Sequence, residues 1–232
     1  MLYKLSILFL LLSINSLAQT SHVKVQYSLK IGYDEGFSNA DALKDYYAMA
    51  QKGADQIHFD LEASKTASFF KQIEFINNAE TNFASAFAES STSYYTEANS
   101  DSKNKYTNDI FGKFQIIYEE KTTWKLENET KYIDNYLCYK AIAEQIIVNS
   151  EGTFKHPIVA WYCPSIPFSF GPRGFNGLPG LILELQVRNI TWGAQKIELS
   201  NEEKIIEKPT KGKLITLEEY NKLISTPPSF AR

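Results

Sequence analysis

Hydrophobic and polar residues alternate strictly in the first long patterned stretch of the chain. The apolar positions are Val23, Val25, Tyr27, Leu29 and Ile31, and the residues between them are polar. A period of two places all the apolar side chains on one face of an extended strand. The sequence therefore predicts a half-buried β-strand over 23–31.

Shorter stretches of the same kind follow and predict a succession of strands. We expect them at 58–63, 68–75, 114–119, 123–126, 131–133, 136–148, 153–163, 181–187 and 189–199. Helical spacing is found at 39–51, with Asn39 as a candidate cap, and at 216–223, where Thr216 and Glu219 form a capping box. Successive strands with short turns and little helix are typical of an antiparallel sheet. The predicted fold class is mainly β (α+β): a single curved antiparallel sheet, an open barrel or bowl, with one or two short helices.

Residues 77–109 differ in composition from the rest of the chain. They are rich in Ser, Thr, Asn, Ala and Lys. Such a segment predicts a long mobile or inserted connection, with at most a weak helix near 82–90. Strand patterning then resumes with the same character, so we expect residues 19–232 to form a single β-rich domain.

The N-terminus has the pattern of a secretory signal peptide. Lys4 is followed by an apolar run from Leu5 to Leu12, and Ser16-Leu17-Ala18 is a small-x-small cleavage site. We therefore predict a signal peptide over 1–18 and a mature chain that begins at Gln19; a buried N-terminal helix is the alternative. No later stretch approaches the about 20 apolar residues that a membrane-spanning helix needs, so no transmembrane segment is expected in the mature chain. The protein should be exported to the periplasm, associated with the outer membrane, or secreted.

Composition narrows the class of partner. The formal net charge is −3 over 232 residues, which argues against nucleic acid because nucleic-acid binders concentrate basic residues on one face. Fourteen Tyr and fifteen Phe make the chain rich in aromatic residues, and these pack well across the strands of a sheet.

Proline, glycine and aromatic residues are densest between 161 and 185. Proline at the second position and glycine at the fourth predict a type I turn at 171–174. Pro179 followed by Gly180 predicts a type II turn at 178–181, with positive φ at Gly180. These turns deliver the apolar strand 181–187 into a core.

The same region carries a resemblance to a known family. Gly177-Leu178-Pro179-Gly180-Leu181-Ile182 spells the signature of the GLPGLI family, and the chain resembles that family further upstream. The matching residues are Trp124, Glu129-Thr130-Lys131, Cys138-Tyr139-Lys140-Ala141, Trp161-Tyr162, Pro164, Ile166-Pro167, Gly171-Pro172 and Phe175. The resemblance implies a secreted, envelope-associated protein of Gram-negative bacteria with no established activity. Cys163 stands where the family pattern has Thr, and Ser165 where an acidic residue is usual.

No group of residues points to catalysis or to a cofactor. His22, His58 and His156 are isolated in the sequence, so no metal site is predicted. The glycines at 171, 174 and 177 lack the following helix and the Lys-Ser/Thr pair of a phosphate loop. No serine lies in a strand-turn-helix elbow. We expect no cofactor and leave the catalytic residues unassigned.

The two cysteines are the one pair that geometry brings together. If residues 150 and 151 form a two-residue turn, Asn149 pairs with Gly152, and the same register pairs Cys138 with Cys163. The counting places this pair at a non-hydrogen-bonded site, where Cα atoms approach to about 4.5 Å, within the range that a disulfide accepts. An exported chain favours the bond. Two buried free thiols are the alternative.

Three functions are consistent with these features. The first is a non-catalytic envelope protein that binds an apolar or amphiphilic ligand, or a protein partner, in the concavity of the sheet. The second is an envelope hydrolase whose site is assembled only in the fold, and the third is a structural or assembly accessory that uses a sheet edge. A large apolar cavity favours the first, carboxylates with a histidine in a cleft favour the second, and a long unprotected edge strand favours the third.

Overall fold

The computed structural model describes residues 20–149 and 152–225. These residues form twelve strands: β1 (His22–Ile31), β2 (His58–Ser64), β3 (Ala67–Gln72), β4 (Ser93–Glu97), β5 (Ser102–Asp109), β6 (Gly112–Glu119), β7 (Lys125–Ile133), β8 (Tyr136–Asn149), β9 (Gly152–Cys163), β10 (Leu181–Val187), β11 (Ile190–Ser200) and β12 (Lys213–Thr216). Four α-helices accompany them: α1 (Glu35–Ser38), α2 (Lys44–Gly53), α3 (Ala79–Phe87) and α4 (Leu217–Ser225). The predicted signal peptide and the proposed first mature residue, Gln19, lie outside the described residues.

All twelve strands belong to one open sheet in the order β12-β6-β5-β4-β3-β2-β1-β11-β10-β9-β8-β7. Every neighbouring pair is antiparallel except β12 and β6, which are parallel. The central pair joins the two ends of the chain, because β1 runs beside β11 with His22 opposite Ser200. The prediction of a mainly β, curved and open sheet is confirmed, with the corrections that the sheet is mixed and that four helices accompany it.

Strand β1 shows why the sheet has a well-defined inner face. Its five apolar residues are at most 5% exposed, and the polar residues between them are more accessible. Tyr27 also donates a hydrogen bond from its hydroxyl to the carbonyl oxygen of Ile182, at 2.6 Å. The inner face of β1 therefore anchors the chain around the GLPGLI motif.

The β8–β9 hairpin keeps the predicted register throughout its length. Asn149 lies opposite Gly152, and the pairing continues without a shift to Tyr139 opposite Tyr162. The two turn residues at 150 and 151 lie outside the described part of the chain.

The segment 77–109, predicted as a mobile or inserted connection with a weak helix near 82–90, has more regular structure than that prediction. It provides α3, β4 and β5. Asn78 and Thr81 form a capping box at the start of α3, and β4 and β5 extend one side of the sheet. Composition misled the prediction, because Ser, Thr, Asn and Lys occupy positions in β4 and β5 that other parts of the chain cover.

The helices are short and lie at the periphery. Helix α2 begins at Lys44, with Leu43 and not Asn39 at its N-cap position, so the predicted start at 39 is wrong. Within it Tyr47 is 2% exposed, whereas Tyr46 is 48% exposed. At α4 the predicted capping box is confirmed, because Thr216 N–H donates to Glu219 Oε2 at 2.8 Å and Glu219 N–H donates to Thr216 Oγ1 at 3.2 Å. None of the described helices is long and apolar enough to cross a membrane.

Candidate functional site

The segment between β9 and β10, residues 164–180, fills the concave side of the sheet; we call it the inner loop. Its apolar side chains alternate with exposed Pro and Ser, and they are buried in the main core: Ile166, Phe168, Phe170, Phe175 and Leu178, each at most 7% exposed. The concavity therefore contains the protein's own side chains, and a large empty apolar cavity is not part of the described structure.

Backbone hydrogen bonds fix the inner loop against β10. Leu181 N–H donates to the carbonyl oxygen of Ile166 at 3.0 Å, and Ile182 N–H donates to that of Phe170 at 2.9 Å. Trp124, just before β7, also binds the loop, because its Nε1–H donates to the carbonyl oxygen of Asn176 at 2.8 Å. The loop is thus a fixed part of the core.

Gly180 has the predicted positive φ, +155°, but the turn differs from type II. A type II turn has φ near +80° at this position and bonds its fourth residue back to its first. Here Leu181 N–H bonds to Ile166 instead of Leu178. A Cβ atom on Gly180 would lie 2.3 Å from the carbonyl oxygen of Cys163, so the glycine permits a close crossing of two backbone segments.

The first turn of the inner loop is displaced by one residue from its prediction. Phe175 N–H donates to the carbonyl oxygen of Pro172 at 3.1 Å, and both central residues have positive φ: +56° at Arg173 and +76° at Gly174. This is a type I′ geometry, which favours Asn, Asp or Gly at its first central position. Arginine there is unfavourable for the backbone, so the contacts of its side chain must compensate.

Arg173 projects from this turn into the space between the two halves of the sheet. Its guanidinium carbon lies 5.0 Å from the ring centroid of Trp192 and 5.9 Å from that of Tyr94. Nη2 donates to Glu89 Oε2 at 3.0 Å and more weakly to the Tyr94 hydroxyl at 3.4 Å. The side chain is 21% exposed, so one edge of the guanidinium remains open to solvent.

A cleft of about 260 Å³ opens above Arg173, and we call it the inner cleft. Both halves of the sheet line it, with Tyr94, Lys105 and Tyr118 on one side and Gln145 and Val187 on the other. Phe175 of the inner loop, Leu217 of α4, and Glu89, Glu119 and Glu120 complete the lining. Aromatic, cationic and acidic groups therefore converge in one partly enclosed space.

Charge is segregated within the inner cleft. The Lys103 side chain, behind Phe175, is only 2% exposed, and its ammonium lies 5.6 Å from the Phe175 ring centroid. Its ion pair with Glu120 is long, at 3.5 Å. The acidic partners are much more accessible: the side chains of Glu89 and Glu120 are 68% and 39% exposed. The deeper charges are therefore cationic, although Lys103 does not line the cleft itself. Glu89, whose carboxylate reaches the solvated rim, also pairs with Arg173 at 3.0 Å.

Burial shifts the titration of the groups around the inner cleft. It lowers the pKa of the Lys103 and Lys105 ammonium groups, because nearby carboxylates offset only part of the desolvation. It raises the pKa of the Tyr94 and Tyr118 hydroxyls. Both tyrosines therefore remain neutral hydrogen-bond donors near pH 7, while the two lysine charges are costly to keep without an anion nearby.

The sequence-predicted motif residues surround the cleft without lining it. Leu178, Leu181 and Ile182 are core residues, Pro172 and Gly171 pack beneath the turn, and Pro167 and Pro179 are exposed. Gly177 has a φ of +89° beside Trp124. The motif thus positions Arg173 and supplies none of the polar groups of the cleft.

Trp161 lies on the opposite, outer face of the sheet. Lys131 Nζ is 4.5 Å from its ring centroid and 2.7 Å from Glu184 Oε1. Lys140 Nζ is 6.0 Å from the same centroid and 2.8 Å from Glu129 Oε1. This ladder holds β7, β8, β9 and β10 together, with about 0.2–1 kcal/mol per cross-strand pair, and is structural.

Both cysteines are free thiols and fully buried, so the predicted disulfide between Cys138 and Cys163 is not formed in the structure. Each thiol has a local partner: Cys163 Sγ lies 3.0 Å from Ser165 Oγ, and Cys138 Sγ donates to the carbonyl oxygen of Tyr136 at 3.5 Å. Burial and the neighbouring Cys163 thiol raise the pKa of Cys138 to about 12. The register that motivated the bond is nevertheless present up to Tyr139 and Tyr162.

The two alternative functions find less support in the described residues. A shallow depression beside His58 also contains Asp55 and Glu74, but the buried Nδ1 of His58 has no hydrogen-bond partner there. No group of three or more metal-binding side chains is found in the described part of the chain. At the sheet edges, β12 has four residues, and β7 is charged and interrupted by a register shift between Leu126 and Thr130. Such edges resist pairing with another strand.

Sequence reasoning missed the polar residues of the inner cleft. Lys103 and Lys105 lie on one face of β5 and alternate with Asn104 and Tyr106, a period that signals a strand. Arg173 was a second signal, because it is the one charged residue of the inner loop. Neither signal shows that the residues meet, since the inner loop and β5 are distant in sequence.

The described residues thus belong to a class of fold in which one open, twelve-stranded β-sheet has its concave side filled by a loop of the same chain. A protein family described as "Protein of unknown function (Porph_ging)" matches residues 149–184, which include the inner loop and the GLPGLI hexapeptide. Among curated proteins, none matches the chain in sequence.

Two solved structures of PNGF-II share this fold. The structure in the C2 space group has a TM-score of 0.56 and 12% sequence identity, and the one in the P21 space group has a TM-score of 0.54 and 10% identity. Each alignment covers 88% of this chain and 33% of the PNGF-II chain. The chain therefore spans about a third of the length of the proteins it resembles, and the similarity concerns the fold alone.

Proposed function

We propose that this protein is an exported, non-catalytic binding protein of the GLPGLI family, and that its ligand site is the inner cleft. The observation that carries the proposal is the partly buried, cationic floor of the cleft around Arg173. Buried charges in proteins usually have well-matched partners, and the one carboxylate paired with Arg173, that of Glu89, is 68% exposed and bonded through Nη2 alone. Residues held in an unfavourable backbone conformation often mark functional sites, and Arg173 is one.

The ligand is amphiphilic. A wholly apolar ligand of appreciable size has no room, because the inner loop occupies the concavity. The cleft instead offers apolar walls from Phe175, Val187 and Leu217 beside polar groups at its floor.

Filling the cleft tests the proposal. The full chain, purified after export, is titrated with a panel of medium-chain amphiphiles by calorimetry, and binding is mapped by NMR shifts of cleft residues. Val187→Trp places a large ring in the cleft, whereas Val159→Trp adds the same ring on the outer face of the neighbouring strand. We expect the Val187 variant to lose binding and the Val159 variant to keep it. Equal binding by both variants would refute the inner cleft as the site.

A further inference from the structure

Several hydrogen-bond donors face the inner cleft without a protein acceptor. Both hydrogen bonds of Arg173 come from Nη2. Its Nε and Nη1 groups donate to none of the described residues, and the same holds for the Tyr118 hydroxyl. The Lys105 ammonium also has no acceptor among them; it lies 5.5 Å from the ring centroid of Tyr220. None of these donor atoms is fully buried, so water can reach them. A ligand that brings acceptors can replace this water without breaking a hydrogen bond within the protein.

The charges decide which acceptor fits. The Arg173 side chain is 21% exposed, whereas the carboxylates of Glu89 and Glu120 are 68% and 39% exposed. Glu119, the third carboxylate of the lining, is also exposed. A ligand atom that reaches the floor therefore meets Arg173 and Lys105 first. Hydrogen bonds from cationic donors to an anionic oxygen are roughly twice as strong as neutral ones. Neutral acceptors such as amides gain much less.

The size of the cleft limits how much of the ligand is enclosed. Its volume, about 260 Å³, lies just below the range of about 300–1,000 Å³ that is typical of small-molecule sites. A head group and a few carbons fill it. Phe175 and Val187 give those carbons an apolar surface, and the remainder of the ligand extends out through the open side.

We infer that the inner cleft recognises the carboxylate head of an amphiphile, with Arg173 and Lys105 as the groups that bind the two oxygens. This inference rests on the proposed function and names the chemistry of its ligand. The planar guanidinium matches the planar carboxylate, Lys105 adds a second charge, and the Tyr118 hydroxyl is within the same lining.

Matched probes test the head group. The full chain is titrated by calorimetry with octanoate, octanamide, octyl phosphate and acetate. We expect octanoate to bind at least about tenfold more tightly than octanamide, since the amide loses the charge-assisted bonds, and acetate to bind more weakly than octanoate. Equal affinities for octanoate and octanamide would overturn the inference. Tighter binding of octyl phosphate than octanoate would overturn the carboxylate in favour of a phosphate head, and acetate as tight as octanoate would overturn the amphiphile.

A charge-matched pair of variants tests the residue assignment. Lys105→Gln removes a charge that has no ion pair among the described residues, and Lys113→Gln removes an exposed charge on β6 outside the cleft. We expect Lys105→Gln to weaken octanoate by about fivefold or more and to leave octanamide unchanged, with Lys113→Gln neutral for both. Thermal melts confirm that both variants fold. An equal loss for octanoate and octanamide would show that Lys105 acts through shape and not charge.

The outcomes also distinguish a failure of this inference from a failure of the proposed function. If octanoate and octanamide bind equally and Val187→Trp abolishes both, the cleft is a binding site and the anionic head group is wrong. If no probe binds in a way that Val187→Trp prevents, the inference and the proposed function both fail.

Discussion

Replacing Gly180 with alanine tests the physical role of the GLPGLI motif. The added Cβ would lie 2.3 Å from the carbonyl oxygen of Cys163, 2.6 Å from its carbonyl carbon and 2.8 Å from Cα of Pro164. These are backbone atoms at the end of β9, so they are unable to rotate away as a side chain would. The variant must also hold a φ of +155° with a non-glycine residue.

The expected loss has two parts. Forcing an extra methyl into a filled site costs about 1–3 kcal/mol. A non-glycine residue in a sparsely populated backbone region costs about 1–3 kcal/mol more. We therefore expect Gly180→Ala to lower the free energy of unfolding by about 2–6 kcal/mol, a large share of the 5–15 kcal/mol that is typical of a native protein.

Three other glycines provide matched controls. Gly152 has a φ of +142°, and a methyl group added there would meet nothing within 4 Å, so Gly152→Ala isolates the conformational cost. Gly171 has an extended φ of −165°, but its Cβ would meet Ile182 at 2.7 Å, so Gly171→Ala isolates the clash. Gly193 has neither a positive φ nor a contact within 4 Å.

Urea denaturation followed by tryptophan fluorescence measures all four alanine variants. Gly180→Ala should lose the most stability, Gly152→Ala and Gly171→Ala intermediate amounts, and Gly193→Ala should be neutral or slightly stabilised. Thermal midpoints should follow the same order, by roughly 2–4 °C per kcal/mol for a chain of this size. A loss below about 1 kcal/mol for Gly180→Ala, or one no greater than that of Gly152→Ala, would refute the close backbone crossing.

Four further predictions concern other parts of the chain. Lys103→Met should stabilise the fold by about 1–2 kcal/mol in urea, because it removes a buried charge with a long ion pair; a loss of stability would show that the charge is structurally needed. In reduced protein at pH 8, Cys138 should be alkylated much more slowly in the native state than in urea, because its pKa of about 12 leaves little thiolate. Stability should fall as the pH rises from 9 towards 12, because only the unfolded chain readily loses this proton. After oxidation, non-reducing peptide mapping should join Cys138 to Cys163, and separate peptides would contradict that. N-terminal sequencing of exported protein should begin at Gln19, whereas recovery of Met1 would contradict the signal peptide.

Regular alternation made much of the sheet predictable. The alternation from Val23 to Ile31 predicted β1, and counting residue pairs outward from Asn149 predicted the register of β8 and β9. Both patterns depend only on residues that are close together in the sequence. The failure at 77–109 has a different origin. Lys103 and Asn104 are buried although polar, because the inner loop covers one face of β5 and the segment around Ile206 covers the other.

The inner cleft was unpredictable for the same reason. Its floor depends on Arg173, whose turn was placed one residue too early, and its two walls come from halves of the sheet that are separated by most of the chain. The resemblance to the GLPGLI family pointed to the inner loop. It did not point to the polar groups that the loop brings together.

The pairing of β1 with β11 has a consequence for how the chain folds. Most other neighbours in the sheet are close in sequence, so each half can form from local hairpins. The seam between the halves, His22 opposite Ser200, closes only when nearly the whole chain is available. Until then one edge of β1 is unpaired and its apolar face is exposed, a state that favours aggregation. Contacts of such long range make folding slow, so we expect variants that weaken the β1–β11 pairing to accumulate as aggregates during synthesis.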